Sequence, residues 1–204
     1  GNGVAGLPHD NRGAFIGTTL DLVKPYPILV GLLAVAMFAL HGALFLYLKT
    51  AGELREDLNR LIWHTWGIFL VLYMLSTMYS LASIPRTTAN FADAPWAYGV
   101  VVLNVLAIAN IPRAVFHNCY GQAFASSCVN IACQVFLVGM ALFPNLVAAS
   151  NGAAHSLTIY RAASSPGTLR IMLVVALIGM PLVAAYTAIV YWTFRGKVGP
   201  TTAK

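Results

Sequence analysis

The chain has 204 residues, of which 59% are hydrophobic and only 9% are charged. Soluble domains carry about 25% charged residues, so this composition excludes an ordinary soluble protein and favours one embedded in a membrane. The net charge of +6 comes from 12 Lys and Arg residues scattered along the chain. Binding of nucleic acid needs a basic stripe on a soluble face, which this scatter does not provide.

The first ten residues, GNGVAGLPHD, are polar and rich in glycine. They contain neither an initiator methionine nor the charged and apolar regions of a signal peptide. We expect them to be a loop that belongs to a longer protein.

Five apolar segments follow, each close to the length of about 20 residues that crosses a bilayer as a helix. The predicted spans are residues 27–48, 61–83, 96–111, 123–143 and 169–194. The sequence therefore predicts an all-α integral membrane protein, built as an antiparallel helix bundle plus one further helix in a single membrane domain.

Prolines mark several of these boundaries. Pro95 and Pro112 flank the third predicted span, and Pro144 stops the fourth. Ser165 and Pro166 form an N-cap and a first-turn proline for the fifth span. Pro181, inside the fifth span, predicts a kink because it frees one backbone carbonyl.

Five spans place the two ends of the chain on opposite sides of the membrane. The N-terminal side collects five basic residues and the C-terminal side seven: Arg12, Lys24, Arg86, Arg161 and Arg170, against Lys49, Arg55, Arg60, Arg113, Arg195, Lys197 and Lys204. Because cytoplasmic loops carry the excess of Lys and Arg, we expect the C-terminus in the cytoplasm and the polar loop 145–165 outside.

The connector KTAGELREDLNR, residues 49–60, is dense in charge. We interpret it as a solvated helical turn between two antiparallel spans, in which Glu56 and Arg60 pair at i, i+4. This explanation needs no ligand.

Two histidines lie at similar predicted depths on neighbouring spans. His41 is inside the first span and His64 is near the start of the second. Two facing imidazoles could ligate a haem iron axially. The alternative, which we favour, is that each histidine makes a structural hydrogen bond to a neighbouring helix or to an interfacial water.

The fourth span carries a polar stripe, because Ser127, Asn130 and Gln134 recur at i, i+3 and i+7. In lipid such a stripe must face other helices, where it supplies interhelical hydrogen bonds. It could also line the pocket of a quinone head group. Asn104 in the third span is the expected partner of the stripe.

Apart from Arg170 at the very start of the fifth, the predicted spans contain no Asp, Glu, Lys or Arg, which argues against a pump or channel core. Phosphate-binding, zinc-protease and nucleophile-elbow motifs are also absent from the sequence, so we predict no catalytic residue and no metal site. Cys119, Cys128 and Cys133 lack metal or disulfide spacing. The last two are expected to be small buried hydrophobes.

Three stretches of the sequence carry a family resemblance. They are ALHGALFLYLKTAGELRE at 39–56, ALFPNLVAAS at 141–150, and SLTIYRAASSPGTLRIMLVVALIGMPLVAAYTAIVYWTFRGKV at 156–198. The chain resembles subunit II of the cytochrome bd-type quinol oxidases, including the cyanide-insensitive branch, over roughly residues 13–198. The family subunit is longer, so the resemblance implies that this chain corresponds to its C-terminal five spans.

The resemblance implies a complex in the bacterial cytoplasmic membrane that oxidises quinol and reduces dioxygen to water. Haems b and d and the quinol site would then belong to the large subunit. The second subunit would pack against it, support assembly, and in some members hold a structural quinone. Lipids and small accessory subunits are further expected partners.

Three hypotheses about the function follow. The leading one is a non-catalytic structural and assembly subunit of this oxidase. The second is a haem b-binding electron carrier that uses His41 and His64. The third is a segment of a membrane transporter, for which the helix-breaking Pro181 is the only hint.

Overall fold

A computed structural model describes residues 2–8, 15–18, 20, 23–84, 90–91, 94–150 and 156–194. Within these ranges the helices are α1 (Asn2–Ala5), α2 (Pro25–Lys49), α3 (Leu54–Ser83), α4 (Ala97–Phe116), α5 (Tyr120–Leu142), α6 (Ile159–Ala162) and α7 (Pro166–Thr193). Two short strands, β1 (Asn145–Val147) and β2 (Leu157–Thr158), pair antiparallel. Five of the described helices, α2 to α5 and α7, are long and apolar enough to span a membrane.

The predicted all-α membrane fold is confirmed, with two corrections to the helix bounds. The first concerns α3, which begins at Leu54 rather than at residue 61, so the charged connector forms its first two turns. Gly52, with φ of +84°, sits in the turn before it, in a left-handed conformation that glycine adopts without strain.

The second correction concerns α4, which does not end at Pro112 but continues to Phe116. Pro112 has no N–H to donate to the carbonyl of Ile108, four residues earlier. Trp66 on α3 supplies a donor instead, because its Nε1 lies 3.4 Å from that carbonyl oxygen. A neighbouring helix therefore satisfies the carbonyl that the proline frees.

The last helix, α7, begins as predicted. Ser165 is its N-cap, with Oγ accepting a hydrogen bond from the Thr168 N–H at 3.4 Å, and Pro166 occupies the first turn. The helix continues through Pro181 to Thr193.

Helices α2 to α5 form a four-helix bundle made of two helical hairpins. α2 packs along α3, α4 packs along α5, and α2 contacts α5 across the middle. The core of the bundle consists of fully buried side chains from all four helices, among them Leu44, Ile62, Phe69, Ile111 and Ala123. α7 stands apart, since none of its residues is buried.

The ends of the bundle differ in their connections. At one end α2 joins α3, and α4 joins α5, through short turns. At the other end the β1–β2 hairpin lies against the N-terminal segment, where the Leu7 N–H donates to the Ala148 carbonyl at 3.0 Å. The predicted polar loop 145–165 thus includes ordered backbone in the part that the structure describes.

Candidate functional site in the helix bundle

His41 joins two helices of the bundle. Its Nδ1 lies 2.8 Å from Ser127 Oγ on α5, and its ring stacks on Phe124 with centroids 4.7 Å apart. The Ser127 hydroxyl donates its single proton to the Phe124 carbonyl at 2.7 Å. The imidazole must therefore donate from Nδ1 to Ser127 Oγ, which leaves Nε2 with a lone pair.

His64, in contrast to His41, makes its hydrogen bond within its own helix. Its Nδ1 lies 2.7 Å from the carbonyl oxygen of Arg60, one turn earlier on the same helix, and the side chain is exposed. It is two residues beyond the buried Ile62, which places it about 200° round the helix from the core. The structure does not bring His41 and His64 together.

The polar stripe of α5 faces the interior as predicted. Ser127 is 2% exposed and Asn130 is 1% exposed, while Gln134 is half-buried. Ser127 makes the interhelical bond to His41 that was expected of this stripe. Asn130 Oδ1 and Gln134 Nε2 have no hydrogen-bond partner in the part of the chain that the structure describes.

Asn104 on α4 does not pair with the stripe, contrary to the sequence-based expectation. It is completely buried, and its Nδ2 donates to the hydroxyl of Tyr73 on α3 at 3.2 Å. The aromatic hydroxyl reaches it from the adjacent hairpin. Asn104 Oδ1 and, on α3, Ser76 Oγ have no partner among the described residues.

Four such atoms are costly to a helix bundle in a membrane. Each buried polar atom left without a partner costs about 1–3 kcal/mol, and lipid offers no compensating hydrogen bond. The cost of four is comparable with the whole folding free energy of a typical domain, about 5–15 kcal/mol. This part of the bundle is therefore the candidate site.

A cavity of ≈ 390 Å³ opens beside these groups, between the ends of α2 to α5 nearer the β1–β2 hairpin. Its polar lining includes Tyr73, Ser76 and Gln134, and the rest is mostly apolar. The residues around it are Val4, Tyr26, Val30, Leu33, Tyr73, Ser76, Thr77, Ser80, Leu81, Phe91, Tyr98, Val101, Gln134, Leu137, Val138 and Ala141. A largely apolar lining with a few polar groups is typical of a site for a lipid-soluble ligand.

The opposite end of the bundle is closed by aromatic side chains. The rings of Tyr47 and Tyr120 stack with centroids 3.6 Å apart, and the Tyr120 hydroxyl donates to Asn59 Oδ1 at 3.1 Å. The guanidinium of Arg55 lies 4.9 Å from the centre of the Tyr47 ring, at cation–π distance. This packing ties α2, α3 and α5 together.

The predicted pair of Glu56 and Arg60 is not formed, since the structure gives no ion pair between them. Both side chains lie on the exposed first turns of α3. An exposed pair gains only a few tenths of a kcal/mol, which does not repay the ordering of two long side chains.

Haem ligation by His41 and His64 is not supported by this geometry. His41 points towards Ser127 on α5, whereas His64 is exposed and bonded to its own helix, so the two imidazoles are directed to different surroundings. No group of three or more His, Cys, Asp or Glu side chains forms a metal site among the described residues.

Cys133 is buried as predicted, but Cys128 is exposed because it lies on the outward face of α5.

Two functional residues escaped prediction from the sequence. Tyr73 and Ser76 lie on α3, three residues apart, and present their hydroxyls to Asn104 and to the cavity. The signal was present, because the buried residues Leu58, Ile62, Phe69 and Ser76 recur at helical spacing on one face.

The fold and its interior define a polytopic helical membrane protein whose bundle is crossed by amide and hydroxyl groups. A family model for cytochrome bd terminal oxidase subunit II matches residues 1–194. The chain belongs to this family, and the resemblance predicted from its three sequence stretches is confirmed.

Individual relatives of the chain support the same family membership. The chain is 28% identical to cytochrome bd-I ubiquinol oxidase subunit 2 of Escherichia coli K12, with 97% of the chain and 60% of that protein aligned. It is 24% identical to cytochrome bd ubiquinol oxidase subunit 2 of Bacillus subtilis, with 95% and 56% aligned. The chain thus spans no more than 60% of the length of these relatives.

Proposed function

We propose that this chain is a structural and assembly subunit of a membrane quinol:dioxygen oxidoreductase. Family membership supports the complex, since the relatives are named as subunits of ubiquinol oxidases. The observation that carries the non-catalytic role is the interior of the bundle. No Asp, Glu, Lys or Arg is buried anywhere in the described ranges. Proton relays and ion sites in membranes are usually built from such residues.

The chain packs, in this proposal, against the haem-bearing large subunit, and haems b and d reside in that partner. Helix α7 supports an external contact, since large apolar side chains such as Ile178 and Met180 are exposed along its length. Pro181 has no N–H to donate to the Leu177 carbonyl, and neighbouring helices commonly satisfy carbonyls freed in this way. Lipids and small accessory subunits would cover the rest of the surface.

A structural quinone, if this chain holds one, would occupy the cavity between α2 and α5. Gln134 Nε2 and Ser76 Oγ face it with free donor capacity, as the carbonyl oxygens of a quinone head group require. The apolar lining suits the isoprenoid tail. Such a quinone would stabilise the bundle, since no redox centre is assigned to this chain.

The proposed location is the bacterial cytoplasmic membrane, with the C-terminus in the cytoplasm. The described basic residues on that side are Lys49, Arg55, Arg60 and Arg113, at the closed end of the bundle. Lys24, Arg161 and Arg170 lie on the other side. The remaining charges used for this prediction, Arg12, Arg86, Arg195, Lys197 and Lys204, lie outside the described residues.

A reduced-minus-oxidised absorbance spectrum tests the proposal. The complex is purified through this chain in mild detergent and reduced with dithionite. We expect b-type bands together with a chlorin band in the red. On dissociation, all of these bands should leave with a larger partner.

Two results would overturn it. A b-type spectrum that stays with this chain alone would make His41 or another histidine a haem ligand and would support the electron-carrier function. An intact complex without any haem signal would remove the oxidase assignment and favour the transporter alternative.

A further inference from the structure

Four polar side chains, which we name the interior polar site, are Ser76, Asn104, Asn130 and Gln134. The first three are 6%, 0% and 1% exposed. Each of the four has a buried atom without a hydrogen-bond partner in the described part of the chain: Ser76 Oγ, Asn104 Oδ1, Asn130 Oδ1 and Gln134 Nε2. Buried polar groups in folded proteins are almost always satisfied, so these atoms point to a bound ligand.

The members of the interior polar site lie close together. Asn130 and Gln134 are one turn apart on α5, or about 6 Å along the helix axis. Asn104 is twelve residues before the end of α4, and Asn130 is ten residues after the start of α5. Because these antiparallel helices are joined by a short turn, the depths of the two amides differ by only about 3 Å.

The site is continuous with the cavity. Ser76 and Gln134 are part of the cavity wall, and so is Tyr73, whose hydroxyl accepts the hydrogen bond from Asn104. In the other direction, Asn130 is one turn from Ser127, which holds the His41 imidazole. A path of polar groups therefore runs from the cavity towards His41 along α5.

The chemistry of the open atoms identifies the ligand. Two amide oxygens need donors, an amide nitrogen needs an acceptor, and a hydroxyl takes either. A ketone or ester carbonyl accepts only, so it satisfies Gln134 but neither asparagine. A cation satisfies the oxygens but not the amide nitrogen. Rotating an amide turns an open acceptor into an open donor, so only a ligand that both donates and accepts suits either orientation.

We propose that the interior polar site binds ordered water molecules, which extend from the cavity to Asn130. Water both donates and accepts, and buried waters typically bridge about three polar groups that would otherwise be unsatisfied. The hydrated path ends one helical turn from Ser127 and so gives the His41–Ser127 pair contact with the cavity side of the membrane. This inference does not depend on the oxidase function.

Silver-ion labelling of introduced cysteines tests the proposal in the purified complex. Ag⁺ replaces the proton of a thiol, which is released to water, and the reaction needs a hydrated thiol. In a background where the three native cysteines are replaced by alanine, we compare Asn130→Cys and Gln134→Cys with Val129→Cys. Val129 is the adjacent control because it is 36% exposed on the outward face of α5, where we expect lipid or detergent rather than water.

Asn130→Cys and Gln134→Cys should lose their free thiol to Ag⁺ faster than Val129→Cys, as counted by mass spectrometry after denaturation. Equal or slower loss at both positions would overturn the proposal. If Asn130→Cys does not assemble, as judged by its elution in size-exclusion chromatography, the comparison rests on Gln134→Cys, which replaces a half-buried residue.

The melting temperature of an Asn130→Leu complex gives an independent test, because a dry site and a hydrated site predict changes in opposite directions. Leucine has the branched shape of asparagine and the same number of side-chain heavy atoms, is somewhat bulkier, and carries no polar atoms. In a dry site it removes an unsatisfied oxygen and raises the melting temperature. In a hydrated site it deprives bound water of a partner and lowers the melting temperature, which is the result we expect. A rise would overturn the proposal even if the thiols react.

Discussion

Replacing Ser127 by alanine tests the hydrogen bond that joins α2 to α5. The bond length of 2.8 Å and the donation of the serine proton to Phe124 make the imidazole N–H the donor. Removing the hydroxyl leaves that N–H without an acceptor at a site where Ser127 is only 2% exposed. The serine oxygen is the acceptor that the folded bundle provides for this N–H, so its loss should lower the free energy of unfolding.

Interhelical hydrogen bonds in membrane proteins contribute about 0.6 kcal/mol on average and at most about 1.7 kcal/mol. The burial of Ser127 favours the upper half of this range. We expect Ser127→Ala to lower the free energy of unfolding by about 1–1.7 kcal/mol. His41→Phe removes the same bond but keeps a ring to stack on Phe124, so it is the matched partner in a double-mutant cycle.

The assay is SDS-driven unfolding of the complex in mixed micelles, followed by circular dichroism. In the His41→Phe background, Ser127→Ala should cost little, which gives a coupling energy of about 1 kcal/mol. Single effects that add within about 0.3 kcal/mol would refute the bond as a source of stability. The haem spectrum should be unchanged in both variants, because neither removes a proposed ligand.

Further substitutions probe the rest of the bundle in the same assay. Gly52→Ala should cost about 1 kcal/mol because φ is +84° there, whereas Gly67→Ala, a helical position whose Cβ would meet nothing within 4 Å, should be neutral or slightly stabilising. Tyr120→Phe should cost about 0.5–1.5 kcal/mol through its lost hydrogen bond to α3; no change would show that the aromatic stack alone closes that end. Phe69→Ala should cost about 3 kcal/mol, whereas Val35→Ala at an exposed position of α2 should stay within about 0.5 kcal/mol, and equal costs would contradict the packing described here. A fluorescent protein that matures only in the cytoplasm, fused to the C-terminus, should fluoresce, and a dark but expressed fusion would reverse the predicted orientation.

The number of spans and their approximate positions were predictable because a bilayer imposes a minimum apolar length on every crossing helix. The Ser165–Pro166 start of α7 was predictable for a local reason, since capping depends only on adjacent residues. The end of α4 was not predictable from the sequence. Whether a proline stops a helix depends on whether another donor reaches the freed carbonyl, and here Trp66 comes from a different helix.

The site was predictable only in part. The stripe of Ser127 and Asn130 was found because its spacing fixes one face of a helix, and a polar face must turn inward in lipid. The exposed position of His64 was not predictable from the sequence, since it depends on which face of α3 packs inward, as the burial of Ile62 two residues earlier shows. The partner of Asn104 could not be derived, since it depends on which helices become neighbours and at what register.

The two ends of the bundle differ in whether their buried polar atoms have hydrogen-bond partners. At the closed end, Tyr47, Tyr120 and Arg55 stack over a core that leaves no polar atom unsatisfied in that stack. At the other end, the same four helices separate around a cavity, and all four open polar atoms lie there or within two turns of it. A bundle that needed only to fill space would not leave these atoms open, because apolar side chains of the same size would cost less. Their presence on three helices supports the proposal that this half of the bundle binds ordered water molecules. Substitutions at the closed end should therefore change folding without changing hydration, and those in the interior polar site should change both.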